Sequence, residues 1–191
     1  MSGFAGSGKS TLTEMLARHY GIGFVHASDL LRQLQTKKTV QLDTKSTVSG
    51  SGFWESAQGK KFLHQRKQDG SLDKELDKLL LKIAEKENIV MDSWTMPWLS
   101  KKGFKIWIKT DPKERAKRVA LRDGLDQKAV LEKILERDKL TAEIYKKLYG
   151  FSLGPDKKVF DLIIDGTNLS KEEVFELAVA HISKKMKKLK N

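Results

Sequence analysis

Residues 3–10 read "GFAGSGKS", and no other stretch restricts the fold of this chain as strongly. The run satisfies G-x-x-x-x-G-K-[ST], a pattern in which glycines let successive backbone N–H groups turn inward around phosphate oxygens. Such a loop is followed by a helix whose positive N-terminal end faces the same anion. The helix is legible here: "STLTEMLARHY" carries apolar residues at helical spacing and stops at Gly21. The strand that normally delivers the loop is not, because only Met1 and Ser2 precede it. The pattern assigns Gly3, Phe4, Ala5, Gly6, Ser7, Gly8, Lys9, Ser10 and Thr11 to phosphate binding. Lys9 reaches the β- and γ-phosphates, and the Ser10 hydroxyl is a ligand for Mg²⁺.

Downstream, short apolar runs alternate with helical patterns. "GFVHA", "NIVMD", "FKIWIK" and "FDLIID" read as strands. "SDLLRQLQ" reads as a helix capped by Ser28, and "SLDKELDKLLLKIAEKEN" as a longer one capped by Ser71. In the latter, Leu72, Leu76, Leu79, Leu80, Ile83 and Ala84 form the apolar stripe. "TDPKERAKRVALR" starts with a cap and an early proline, residues 127–149 make one helix or two, and Ser170-x-x-Glu173 forms a capping box for the last. Residues 37–70 are polar and rich in Gly, Ser and Thr, and are expected to be irregular and mobile. Alternation of this kind predicts a parallel sheet with crossover helices on both faces and a ligand beyond the carboxyl ends of the strands.

Several side chains gather at those strand ends. Asp92 closes "NIVMD", where a carboxylate suits a Mg²⁺ partner in phosphoryl transfer. Arg115, Arg118 and Arg122 are spaced by three and four residues on one helix face, and like charges so clustered suit an anion among them. Arg137 lies on the stripe Val130, Ile134, Thr141, Ile144 and Leu148, so its guanidinium needs a partner that a nucleotide phosphate would supply. Asp29 and Arg32 open the second helix. Arg32 either holds an acceptor phosphate or pairs with Asp29 on the surface. Trp107 alternates within a strand and reads as core, whereas Trp94 and Trp98 either line an acceptor pocket or seal the sheet. The histidines at 19, 26, 64 and 181 have no metal-ligand spacing and read as surface or core residues.

The chain has a net charge of +12, with five lysines in its last eight residues. That charge suits polyanionic ligands, and nucleic acid is the less favoured of these, because a lysine-rich end also fits a solvated helix terminus. No cysteine is present, which excludes disulfides and thiolate chemistry. No apolar run approaches the ~18 residues of a membrane span, and no signal peptide is expected. The reading is of a cytoplasmic monomer with no membrane partner.

Together these residues resemble the archaeal type of cytidylate kinase, within the P-loop nucleoside monophosphate kinases. The likeness rests on "GSGKST", "SDLLR", "LDKELDKLLLKIAEKENIVMD", "FKIWIKTDPKERAKRVALRD", "ERDKLTAEIYKKLYG" and "FDLIIDGTNLSKEEV", nearly the full chain. It implies an α/β, three-layer P-loop NTPase fold in one domain, residues 1–191, with an acceptor-binding insertion at 37–70 and a lid at about 115–150. It implies ATP and Mg²⁺ on the donor side and a nucleoside monophosphate, CMP or dCMP, as acceptor. Lys9, Arg118, Arg122 and Arg137 would then be catalytic, and Ser10 and Asp92 would serve the metal. Asp29, Arg32, Ser93 and Trp94 would lie at the acceptor.

The chain departs from the family pattern in three places. Ser93-Trp94 stands where the family tends to have Gly-Arg. Thr141 and Ile144 replace an aspartate and an arginine after Arg137-Asp138. The first central strand is missing before Gly3, so apolar residues are expected upstream of Met1 in the gene. Lys60, Lys61 or Arg66 are candidates to replace the lost cations. Two other functions fit the same residues: an ATPase acting in RNA or ribosome processing, and a kinase with a non-nucleotide acceptor.

Overall fold

The phosphate-loop pattern runs directly into α1 (Lys9–Tyr20) in a computed structural model of the chain, which describes residues 1–36, 52–86, 88–154 and 157–188. Leu12, Thr13, Leu16 and Ala17 are the buried face of α1, and Gly21 closes it with φ 64°, a left-handed turn that L side chains resist. The strands follow the alternation of the sequence: β1 (Gly23–His26), β2 (Ile89–Asp92), β3 (Ile106–Lys109) and β4 (Leu162–Asp165). β1 pairs in parallel with β2, His26 opposite Asp92, and β3 pairs in parallel with β4, Lys109 opposite Asp165.

The gap between the two pairs is bridged by the two residues ahead of the loop. Ser93 N donates to Met1 O at 3.0 Å, Ser2 N donates to Ile106 O at 2.8 Å, and Ile108 N donates to Ser2 O at 3.0 Å. Met1 and Ser2 are both buried. These two residues lie in the central position, between β2 and β3, where the sequence reading found the family's first strand missing. They satisfy backbone groups of β3 and of the turn after β2 that would otherwise lie buried and unpaired. The loop leaves from this seam, above the carboxyl ends of all four strands.

Helices cover both faces. Ile106 and Ile108 of β3 pack with Leu12 and Leu16 of α1 and with Val174 and Ala178 of α8 (Lys171–Lys188). Trp107, between them in sequence, turns to the opposite face, where it meets Leu140, Ile144 and Tyr145 of α7 (Gln127–Tyr149). On the β1 side, α2 (Ala27–Gln35) and α4 (Ser71–Lys86) bury Leu30, Leu31, Leu76 and Leu80 around Val25. Residues 127–149 form one helix, packed on α6 (Pro112–Asp123) through Val119, Val130 and Ile134.

Three local expectations change. The segment 37–70 is not irregular throughout: Ala57–Gln68 forms α3, capped by Ser56, whose hydroxyl accepts from Gly59 N at 3.1 Å. Its buried residues Gly59, Phe62, Leu63 and Arg66 recur at helical spacing, but only two of the four are large apolar side chains. Residues 37–51 lie outside the described residues. Ser28 does not cap α2, which starts at Ala27 with His26 at the boundary. Ser71 is the first residue of α4, and Asp69 caps it by accepting from Ser71 N at 2.9 Å. The capping box of α8 forms as read: Ser170 N donates to Glu173 Oε2 at 2.8 Å, and Glu173 N to Ser170 Oγ at 3.1 Å. The short helix α5 (Met96–Leu99) follows β2.

Candidate active site

Buried contacts brace the loop from beneath. Gly6 has φ 75°, and a Cβ there would lie 2.8 Å from Arg115 O, so no other residue fits without displacing backbone. Arg115 itself is buried. Its Nη1 donates to Ala5 O at 3.0 Å and to Asp138 Oδ2 at 2.7 Å, so this member of the arginine row braces the loop instead of meeting solvent. Thr13, one turn into α1, donates its hydroxyl to Lys9 O at 2.9 Å.

Lys9 reaches back over the loop, its Nζ 3.3 Å from Phe4 O and 5.8 Å from the Trp94 ring. Enclosure depresses its pKa below the usual lysine value, with Asp92 working the other way. Ser10 is exposed on the next position, and its hydroxyl donates to Asp92 Oδ2 at 2.6 Å. Burial would raise the Asp92 pKa, but Lys9, His26 and Ser10 outweigh it and hold the carboxyl well below its ordinary range. His26 sits buried between two acids, Nδ1 at 3.4 Å from Asp92 Oδ2 and Nε2 at 3.4 Å from Glu14 Oε1. Those distances are ion-pair contacts without hydrogen-bond alignment, since among the described residues neither ring nitrogen has a hydrogen-bond partner. Burial opposes a charge on His26, yet Asp92, Asp29 and Glu14 raise its pKa above the ordinary imidazole value.

These groups border a cleft of about 280 Å³. Lys9, Ser10 and Asp92 line one end, with Ala5 and Gly6 of the loop. Asp29 and Arg32 line another wall and pair with each other through Oδ1 and Nη2. The pair expected on the surface forms inside the cleft instead, on a wall open to an acceptor. Ser93 and Trp94 both border the cleft; Ser93 is almost fully buried, and its hydroxyl accepts from Thr95 N and Met96 N, shaping the turn. Trp98 instead joins the aromatic core, stacked on Phe151 at 4.5 Å.

The remaining arginines divide. Arg137 borders the cleft with its guanidinium 4.2 Å from the Trp54 ring and 5.5 Å from Trp94. It makes no ion pair or hydrogen bond among the described residues, and burial pulls its pKa down to about 10. Arg122 borders the cleft from α6 but is held by its neighbour, donating through Nε and Nη2 to the two Asp123 oxygens at 2.7 and 2.6 Å. Arg118 lies outside the cleft lining, against Gly8, and donates to Glu114 at 3.1 Å and to Gly166 O at 2.8 Å. Of the lysine and arginine candidates in the insertion, Lys60 pairs on the surface with Glu136 at 3.0 Å and Lys61 is exposed. Arg66 is buried at the cleft wall, bound to Asp73.

Sequence reasoning passed over four contributors. His26 reads as an ordinary strand-end residue until β1 is paired with β2. Glu55 is buried at the cleft with Oε2 unpartnered, but it follows a segment without periodicity. Asp73 and Asp77 sit on the buried face of α4 at positions i and i+4, a spacing that marks a shared face although acids usually point outward.

Among the described residues no cluster of three or more metal-type ligands exists. One carboxylate and one hydroxyl, Asp92 and Ser10, fit Mg²⁺, which keeps water and substrate phosphates in most of its coordination sphere.

The profile of the cytidylate kinase-like family matches residues 1–168. The chain belongs to that family. A cytidylate kinase of Thermococcus kodakarensis is 33% identical over 187 residues, covering 96% of this chain and 88% of its own. One of Pyrococcus horikoshii is 32% identical over 183 residues, covering 95% and 86%. A shikimate kinase structure from Bacteroides thetaiotaomicron superposes with a TM-score of 0.56 at 17% identity, covering 97% of this chain and 95% of that one, which shows the P-loop kinase fold. The family member described here is thus a phosphotransferase. Among the described residues no helix is long and apolar enough to cross a membrane.

Proposed function

We infer that the protein transfers the γ-phosphoryl group of ATP to a nucleoside monophosphate, with CMP or dCMP as acceptor. The observation that carries this reading is the meeting of Lys9 and Arg137, two cations without an ion-pair partner among the described residues, in one cleft with Ser10 and Asp92. Two enclosed cations that nearby carboxylates offset only in part are costly, and a polyphosphate reduces the cost.

The loop N–H groups and Lys9 would grip the β- and γ-phosphates, and Arg118, anchored beside Gly8, would steady the donor nucleotide from outside. Mg²⁺ held by Ser10 and Asp92 would neutralise charge on the phosphate oxygens. Arg137 would hold the acceptor phosphate so that one of its oxygens lies in line with the γ-phosphorus. That oxygen bonds to phosphorus as the bond to the β–γ bridging oxygen breaks, giving ADP and a nucleoside diphosphate. Arg122 would leave Asp123 and swing onto the moving phosphoryl group as the cleft closes, which also excludes water and limits idle hydrolysis. CMP is favoured among acceptors because the named relatives are cytidylate kinases over most of their length.

The test is ADP formation from ATP and Mg²⁺ with each nucleoside monophosphate in turn, and with RNA. Stimulation by CMP or dCMP, abolished in Lys9→Met, is the expected result. ADP release that responds to RNA and to no monophosphate would overturn the reading.

A further inference from the structure

Two arginines at the cleft wall have opposite electrostatics, and the contrast assigns them different parts of one ligand. Arg137 sits between two indoles with no ion pair or hydrogen bond among the described residues, its charge supported only at a distance by Glu55 and Asp138. Arg66 is neutralised: Nε donates to Asp73 Oδ2 at 3.1 Å, and Nη2 to Asp73 Oδ1 at 2.6 Å and to Tyr145 Oη at 3.2 Å. The pair is almost wholly enclosed, with side-chain exposures of 4% and 0%. The hydrogens of Nη1 have no acceptor among the described residues, yet the side chain borders the cleft.

A phosphate dianion gains little from such a pair, because it meets the Asp73 carboxylate along with the guanidinium. A neutral acceptor gains fully, since what is offered is a rigid, aimed donor. One helical turn before Tyr145 on α7, the Thr141 hydroxyl is also buried at the cleft, without a hydrogen-bond partner among the described residues. Trp54 presents a π-surface between the two arginines, 6.0 Å from Arg66 and 4.2 Å from Arg137. The cleft therefore brings together an aromatic wall, unmet hydrogen-bonding groups beside Arg66, and the cation of Arg137 on the same Trp54 ring.

We propose that Arg66, held by Asp73 and Tyr145, reads the base of the acceptor nucleotide through Nη1, while Arg137 takes its phosphate. The base is a pyrimidine with adjacent acceptors on its pairing edge, the N3 and O2 of cytosine. Uracil carries N–H at N3 and would set a donor against a donor, which a buried site penalises. This assignment rests on the kinase reading above and names the residue that selects its substrate.

The experiment compares the wild type with Arg66→Lys, which keeps the charge facing Asp73 and loses the planar fork. Turnover is measured with CMP and UMP, and cytidine, which has no phosphate, is the competitive inhibitor. In Arg66→Lys the KM for CMP and the Ki of cytidine are expected to rise together, by about 10-fold to 100-fold. The preference for CMP over UMP should fall by a similar factor, with kcat at saturating CMP nearly kept. A raised KM for CMP with an unchanged cytidine Ki would place Arg66 on the phosphate and overturn the assignment, as would an unchanged CMP-to-UMP preference. If Arg66→Lys does not fold, Tyr145→Phe removes only the hydroxyl that steadies Nη2. It is expected to show the same pattern more weakly, and an unaltered cytidine Ki there counts against the proposal. A wild type that uses no monophosphate overturns the kinase reading itself. A wild type that phosphorylates CMP and UMP equally overturns only the role of Arg66.

Discussion

The Ser10 hydroxyl donates to Asp92 Oδ2 at 2.6 Å, joining the first turn of α1 to the end of β2. Both residues thereby reach the same point above the sheet. Asp92→Asn keeps the size of the side chain and removes its charge. It is expected to lower kcat by about 100-fold or more, without recovery at high Mg²⁺. Initial rates across a Mg²⁺ titration check this. A variant restored by excess Mg²⁺ would show that Asp92 only tunes affinity.

Arg137 gives a prediction of opposite signs. Its charge is enclosed and has no ion pair, so Arg137→Met is expected to leave the melting temperature unchanged or raise it. The same variant should lose about 100-fold or more in turnover. Thermal unfolding and steady-state rates on one preparation decide the matter. A loss of several degrees would mean that the guanidinium stabilises the fold through its indole contacts.

For Arg122, the present partner is its chain neighbour Asp123, whose side chain is enclosed while Arg122 itself stays half exposed. Removing the guanidinium leaves that carboxylate without its cation, so a modest loss of stability is expected beside the kinetic effect. Arg122→Ala is expected to slow transfer at saturating substrates more than it raises the KM for ATP. Equal losses in both would make Arg122 a ground-state binding residue.

Gly59 tests the packing of α3 beneath Trp54. A Cβ there would lie 2.2 Å from Phe53 O and 2.8 Å from Trp54 Cα, both backbone atoms that cannot yield cheaply. Gly59→Ala should therefore destabilise the protein by about 2 kcal/mol despite alanine's better helix propensity. Denaturant unfolding measures it, and a neutral or stabilising result would mean that this contact relaxes freely.

Asp77 supplies a pH dependence. Burial pushes its pKa up to about 6, against hydrogen bonds from Thr95 Oγ1 and Tyr149 Oη. A carboxyl whose folded value is raised favours the folded state most below its unfolded value of about 4, and that contribution is lost as pH rises through about 6. Asp77→Asn removes the dependence. Between pH 4.5 and 8 the stability difference is expected to move in the variant's favour by about 1–3 kcal/mol. Parallel unfolding curves for the two proteins at both pH values would contradict it.

Where the sequence was informative, a short-range rule was at work. The phosphate loop is readable because its spacing alone dictates backbone shape. The Ser170–Glu173 box and the stripe of α4 are readable because partners lie within one turn. What escaped depends on distant neighbours. Asp73 and Asp77 look like solvent-facing acids until Arg66 and Tyr149 are placed opposite them. α3 was hidden because an arginine and a glycine occupy half of its buried face. The tie that Met1 and Ser2 make between the two strand pairs rests on hydrogen bonds with Ser93, Ile106 and Ile108, which no local pattern reveals. Arg115 was grouped with Arg118 and Arg122 by spacing, but its position on the helix turns it under the loop.

That position of Arg115 has a mechanical outcome. One guanidinium clasps Ala5 at the mouth of the loop and Asp138 midway along α7, next to Arg137. On the proposed reading, the donor and acceptor sites share this clasp, and a triphosphate that shifts Ala5 also pulls on the helix carrying Arg137, Thr141 and Tyr145. Each nucleotide should accordingly sharpen the affinity for the other, and by the same factor in both directions.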